Sequence, residues 1–257
     1  MANENSYTIE VDAHCHSIAT RHAMCTILEV LELAKMKQLK GVVISDHHPS
    51  LAHTGEDYRI TAPDDAYFSV FCHRFEAIDK SVRLFKGIEL NILDRAPWIH
   101  EASWSYDHKF DLRLAGIHIL PHLFKGTGNA SKNTDCVLKA IYAGKKPKFQ
   151  ILAHPHMKEA SLDFDEIIKA CRERKIALEL NNSNILYMKG QEKETRSFVE
   201  KAGNLGALIA VSSDSHVPHE VGLFESALSL LEEMRFPPEL VVNRTIESFL
   251  EFTGSFV

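Results

Sequence analysis

Val11-Asp12-Ala13-His14-Cys15-His16 follows directly on Tyr7-Thr8-Ile9-Glu10. The apolar–polar alternation over residues 7–11 reads as a half-buried strand that runs into metal-ligand residue types. Residues two apart on an extended chain point to the same side, so His14 and His16 can share one ion. Outward from this stretch the same event recurs. The apolar run 41–44 leads into Ser45-Asp46-His47-His48, the run 83–88 into Glu89, and the run 112–117 into His118. The run 149–153 ends in His154-Pro155-His156, the run 176–180 in Asn181-Asn182, and the run 207–211 in Ser212-Ser213-Asp214-Ser215-His216. Helical periodicity fills the gaps at 27–38 and at roughly 134–143, 163–174, 192–202 and 222–235. A long polar, helix-containing segment covers about residues 49–80.

Repeated strand–helix alternation implies an α/β fold with a parallel sheet. Seven strands fit either a closed barrel or an open doubly wound sheet, and the polar residues separate the two. In a parallel barrel the C-terminal strand ends converge on one face, whereas an open sheet spreads them along a line. Ligand types at nearly every strand end therefore favour a closed or nearly closed TIM-like barrel. The chain shows no internal repeat and no Gly/Ser linker, which predicts a single domain over 1–257. Pro237-Pro238 breaks the last long helix, and a short C-terminal helix is expected beyond it.

Composition excludes several classes. At 257 residues, 45% hydrophobic and 25% charged, the chain can bury a sizeable core and is not disordered. The net charge of −6 argues against an extended nucleic-acid surface, though not against a small basic pocket. No apolar run is long enough for a transmembrane helix. The polar start carries no secretory pattern, so a cytoplasmic location is expected. Five cysteines without CxxC spacing read as reduced thiols.

The 15 histidines carry the functional signal. A lone His-x-His, or one buried His at a strand end, is more often hydrogen-bonded structure than a ligand. Jointly the groups would crowd together at a large electrostatic cost unless an ion held them. Imidazole and carboxylate without thiolate suit zinc, iron or manganese. His14, His16, His47, Glu89, His118, His154, Asp214 and His216 are too many for one tetrahedral ion, so two or three ions are implied.

The segments VDAHCHSIATRHA, VVISDHHP, GIELNI, LAGIH, ILAHP, LELNNS and SSDSH occur in that order from residue 11 to residue 216. In them the chain resembles the PHP (polymerase and histidinol phosphatase) family, and within it the short YcdX-like bacterial phosphatases. The resemblance implies a distorted seven-stranded TIM-like (β/α)7 barrel, the PHP fold, and three divalent ions per chain, zinc ahead of manganese or iron. It implies that His14, His16, Glu89 and Asp214 hold one ion. Glu89, His118 and His154 would hold the second with Glu89 bridging, and His22, His47 and His216 the third. His22 comes from the resemblance, since strand-end spacing does not reach it. The sequence departs from the branch pattern at His48 and in long segments at 49–80 and 124–131, which shape the pocket.

Three divalent ions against two carboxylates and neutral imidazoles leave a local charge of about +4, attractive to a phosphate dianion. A water shared by two ions is acidified to near neutral pH and can attack phosphorus in line. The expected function is hydrolysis of a small phosphomonoester, with Glu89, Asp214 and His216 as the catalytic set and no membrane partner. A phosphodiesterase or nuclease is the nearest rival, and the acidic charge without a basic, aromatic-interleaved stripe counts against it. An amidohydrolase-like enzyme would want a lysine on strand four, where His118 stands. A non-catalytic metal-binding domain is the third alternative. Asp12 and Asp46 are candidates to accept a ligand's second ring proton, and Asn181 and Asn182 to orient water or substrate. His48, His122, His156 and His219, the basic residues Arg21, Lys125 and Lys132, and Trp98, Trp104 and Tyr106 are candidates to line the pocket. Asn133 or Ser131 is expected to cap the helix that follows.

Overall fold

A computed structural model describes residues 7–51, 62–100, 109–120, 122–126, 128–157, 160–187 and 191–254. Seven parallel strands succeed one another in chain order: β1 (Val11–Cys15), β2 (Gly41–Ile44), β3 (Arg83–Ile92), β5 (Leu112–Ile117), β6 (Ile151–Leu152), β7 (Ala177–Asn181) and β8 (Ile209–Ser212). The two-residue β4 (Ile99–His100) lies off this path, antiparallel to the end of β3. The helices are α1 (Ile27–Met36), α2 (Asp65–His73), α3 (Ala130–Ile141), α4 (Phe164–Arg174), α5 (Asn182–Tyr187), α6 (Glu192–Leu205), α7 (Glu225–Glu233) and α8 (Ile246–Gly254). No helix among the described residues is long and apolar enough to cross a membrane.

Strand alternation sorts the side chains into two cores. Val42, Ile44, Ile88, Leu90, Leu178, Leu180 and Val211 face outward into the layer shared with the helices. Val43, Phe85, Leu112, Leu114, Ile151, Ala177 and Ala210 face inward and cluster with Phe249 and Phe252 of α8. Phe249 meets Phe85 edge-on at 5.0 Å between ring centroids. The last helix thus plugs the N-terminal mouth of the barrel with apolar rings. The polar residues lie at the opposite, C-terminal mouth.

The barrel is nearly closed. β8 and β1 meet through an isolated bridge, Cys15 to Ser215, and through the donations Asp214 N–H to His14 O and His16 N–H to Ser215 O at 2.9 and 3.0 Å. Lower in the seam the wholly buried Asn243 serves the strand edges on both sides. Its Nδ2 donates to Val11 O and Val211 O at 2.7 and 2.6 Å, and its Oδ1 accepts from Val211 N–H at 3.0 Å. Asn243→Leu strands these buried backbone groups, and chemical denaturation should show a loss of about 3 kcal/mol or more.

The first strand departs from the sequence reading. The pairing with β2 begins at Val11↔Gly41, so the strand is 11–15 rather than 7–11, and Tyr7 instead anchors outside it by donating to Phe236 O. Register then slips by one residue, from Asp12↔Val42 to Cys15↔Ile44. Val11 and Ala13 sit in the inner cluster while Cys15 sits in the outer one. A β-bulge re-aims the side chains that follow it. Here it turns His14 and His16 into the barrel without exposing Cys15. β3 also runs four residues beyond its expected end, because β5 pairs with it as far as Ile92↔Ile117. α3 begins earlier than expected and is capped by Asn129, which accepts from Lys132 N–H. The expected cap Asn133 is buried and donates to Ser161 O.

Candidate metal centre

The inward positions near the strand ends bring the expected ligands together. His14 Nε2 and His16 Nε2 approach to 3.0 Å, and Glu89 Oε2 lies 3.5 and 3.6 Å from them. Asp214 Oδ1 is 3.7 Å from His14 Nε2 and 3.3 Å from His16 Nε2. Donors about 2.05 Å from a tetrahedral zinc ion stand about 3.3 Å apart, which is the scale of these separations. Glu89 Oε1 faces the other way, 2.9 Å from His154 Nε2 and 3.4 Å from His118 Nε2. His47 Nδ1 lies 2.8 Å from Glu89 Oε2 without hydrogen bonding to it. The His16 ring centroid is 4.4 Å from that of His47 and 4.5 Å from that of His216. His22 completes this side, its ring 5.2 Å from His47 and 4.9 Å from His216.

These donors fit metal. His14, His16 and Glu89, then His47, Glu89 and His118, then His16, His47 and His216 each converge closely enough to hold a cation. Glu89 Oε2 and His47 Nδ1 are buried with no hydrogen-bond partner, an arrangement that is costly without an ion. His22 Nδ1 and His216 Nδ1 lie 3.0 Å from the carbonyls of Thr20 and Asp214, and His22 Nε2 lies 3.4 Å from the Thr20 hydroxyl. His154 and Asp214 hold φ of 34° and 51°. Such values are uncommon for residues other than glycine and mark local strain at a site.

The electrostatics divide the rings. Burial opposes protonation of His14 and His154, but Asp214, Glu179 and Glu89 outweigh it and raise His14 well above its ordinary value, and Glu89 with Glu179 raises His154. Burial opposes ionisation of Glu89, but the imidazoles of His118, His47 and His14 outweigh it and hold the carboxyl well below its usual range. Asp214 is held low in the same way, burial being outweighed by His14, His16 and His216. Burial, reinforced by neighbouring imidazoles, keeps His16 well below its ordinary value. Burial likewise outweighs the pull of Glu89 and lowers His47 to about 3. Both rings are therefore neutral, the form that binds metal.

Gly116, inward on β5, is a glycine for a steric reason. A Cβ there would lie 2.7 Å from His154 Cε1 and 3.0 Å from Glu89 Oε1. Gly116→Ala should displace both ligands, and displacements near 1 Å cost on the order of 100-fold in rate. Steady-state kinetics on the metal-loaded variant checks this.

Several supporting candidates act differently from the sequence reading. Asp12 accepts from Ser213 N–H and Gly222 N–H, so it pins the β1–β8 seam rather than a histidine ring. Asp46 Oδ1 lies 4.0 Å from His16 Nδ1, on the side expected, but its hydrogen bonds come from Ser17 N–H, Ser17 Oγ and the Tyr67 hydroxyl, and burial pushes its carboxyl up to about 6. Asn181 donates to Asp214 Oδ2 at 3.0 Å, whereas Asn182 accepts from Ala227 N–H and only ties α5 to α7. His156 is buried under Asn181, accepting its N–H and stacking on Phe198, so it is a packing residue. Trp98 is partly buried against the outer core under the Lys139 ammonium, while Trp104 and Tyr106 lie outside the described residues.

The carboxylate missed in the sequence is Glu179, wholly buried in β7 and accepting from His14 Nδ1 at 2.7 Å. Its signal was a charge inside the apolar run Ala177-Leu178-Glu179-Leu180, at a position facing the same way as Asn181.

Barrel and donor cluster together define a metal-binding α/β barrel. No family model matches the chain. It is 32% identical over 248 residues to a probable phosphatase of Aeromonas hydrophila, covering 95% of this chain and 94% of that one. It is 30% identical over 249 residues to a probable phosphatase of Acetivibrio thermocellus, covering 94% of each. The chain belongs to the family of these bacterial probable phosphatases. In fold it is similar to the histidinol phosphate phosphatase of Lactococcus lactis, solved with zinc, L-histidinol and phosphate. That match has a TM-score of 0.64 at 13% identity and covers 90% of this chain and 95% of that one. A putative histidinol phosphatase of Listeria monocytogenes matches with a TM-score of 0.63 at 15% identity, covering 84% and 99%.

Proposed function

We propose that the protein is a metal-dependent phosphatase of the PHP family, in its short YcdX-like branch. It hydrolyses a small phosphomonoester in the cytoplasm, within one domain over 1–257. The reading rests on one observation, the convergence of His14, His16, His22, His47, Glu89, His118, His154, Asp214 and His216 at one mouth of the barrel. Membership in a family of probable phosphatases supports the reaction class.

Three divalent ions are assigned to this cluster, zinc ahead of manganese or iron. When bound, they supply Lewis acidity to phosphate oxygens and a nucleophilic water near neutral pH. The chain's own residues do the rest. The two Glu89 oxygens face opposite halves of the cluster, the disposition that a bridging carboxylate requires. Asp214 and His216, with side chains 17% and 30% exposed, are the groups offered to an incoming substrate in this reading. Asn181 steadies the second oxygen of Asp214. The apolar plug built on Phe85, Phe249 and Phe252 fills the opposite side of the barrel.

The test compares a chromogenic phosphomonoester with its matching diester, using metal-replete protein and a chelated control. Monoester cleavage abolished by chelation is the expected result. Preference for the diester would make the protein a phosphodiesterase, and cleavage of neither would leave a metal-binding domain.

A further inference from the structure

We propose that Glu179 is the positioning residue of the metal centre, setting ligands on three strands through a single carboxylate. The proposal rests on the metal-centre reading above. Glu179 is 0% exposed and gathers four donors. Oε1 accepts from His14 Nδ1 at 2.7 Å and from Ser212 Oγ at 2.6 Å. Oε2 accepts from His154 N–H at 2.5 Å and from Asn181 Nδ2 at 3.2 Å.

Two of these contacts end at a ligand, and a third reaches one through Asn181. An imidazole that donates through Nδ1 carries its lone pair on Nε2, and His14 Nε2 is the atom that faces His16, Glu89 and Asp214. The His154 N–H belongs to a residue with φ of 34°, so a charge-assisted bond there holds the strained turn that aims His154 Nε2 at Glu89. Asn181 relays the third contact, since the same amide that donates to Glu179 also donates to Asp214 Oδ2 at 3.0 Å. Ligands on β1 and after β6 and β8 are thereby tied to β7. Glu179 is not itself in a metal-competent group among the described residues, and four donors occupy its oxygens.

No neutral side chain can replace it. A glutamine offers one accepting oxygen and an NH2 group, which would face donors on its side. Glu179→Gln therefore breaks either the His14 Nδ1–H contact or both the His154 N–H and Asn181 contacts, because, of the four partners, only the Ser212 hydroxyl can accept from the NH2 group.

The test uses the full-length chain and reads zinc binding rather than hydrolysis. Zinc competition against a chromophoric chelator should show Glu179→Gln binding about 10–100-fold more weakly than wild type, the range for losing such an outer partner. Long-range nitrogen–proton spectra of zinc-loaded wild type should show His14 protonated at Nδ1 and coordinated through Nε2. A folded Glu179→Gln chain with wild-type zinc affinity would overturn the proposal. So would coordination through His14 Nδ1, which decides the matter even if the variant fails to fold. Wild-type protein that takes up no zinc would refute the metal centre together with this proposal. Protein that binds zinc as described but cleaves no phosphomonoester would refute only the phosphatase reading.

Discussion

Glu89→Ala is expected to abolish phosphomonoester hydrolysis in a chain that still folds. The effect should exceed the roughly 100-fold ceiling typical of changes beyond the direct ligands, because Glu89 touches both halves of the cluster. Removing it also leaves His14, His16, His47, His118 and His154 in one buried space with Asp214 as the remaining carboxylate among the nine. The loss should appear in kcat and kcat/KM together, and zinc content should fall with it. Activity close to wild type in the purified variant would rule out a carboxylate bridge between ions. Conservative Glu89→Asp keeps the charge but shortens the reach, so it should recover only a small part of the rate.

Chelation is expected to have the second large effect, on stability as well as activity. Ions that bind the folded chain alone stabilise it by mass action, about 4 kcal/mol when free ligand stands a thousandfold above Kd. For a chain of this size that corresponds to a shift of about 10 °C in Tm. Stripped protein should therefore melt about 10 °C lower, lose hydrolysis, and regain both on addition of zinc. Calorimetry with and without chelator reads this directly. An unchanged Tm would mean that the crowded donors are stable without an ion, against the cost of unpartnered buried groups such as Glu89 Oε2 and His47 Nδ1.

Much of this centre was legible in the sequence because strand ends in a parallel barrel share one face. His14, His47, Glu89, His118, His154 and Asp214 could be placed on that face from apolar runs alone, and the fold followed from their number. His22 was different. It lies beyond the 3-10 turn at Ile18–Thr20, and only the resemblance of its motif marked it. The bulge in β1 was invisible, since Val11-Asp12-Ala13-His14-Cys15 alternates equally well in two registers and only pairing with β2 chooses between them. Glu179 was hidden because one carboxylate within an apolar strand reads as a solvent-facing break, and its four donors come from distant segments. Asn243 was hidden for the same reason, its partners on β1 and β8 being far away in the chain. Side chains whose role is to satisfy remote backbone or remote rings leave no periodic mark.

Nine residues at one mouth of the barrel are expected to hold divalent ions at the place of hydrolysis. Crystals grown with zinc, measured at the zinc absorption edge, test it most directly. Three anomalous peaks are expected: one among His14, His16, Glu89 and Asp214, one beside His118 and His154 on the far side of Glu89, and one among His22, His47 and His216. Peaks absent from this mouth, or found only elsewhere on the chain, would contradict it.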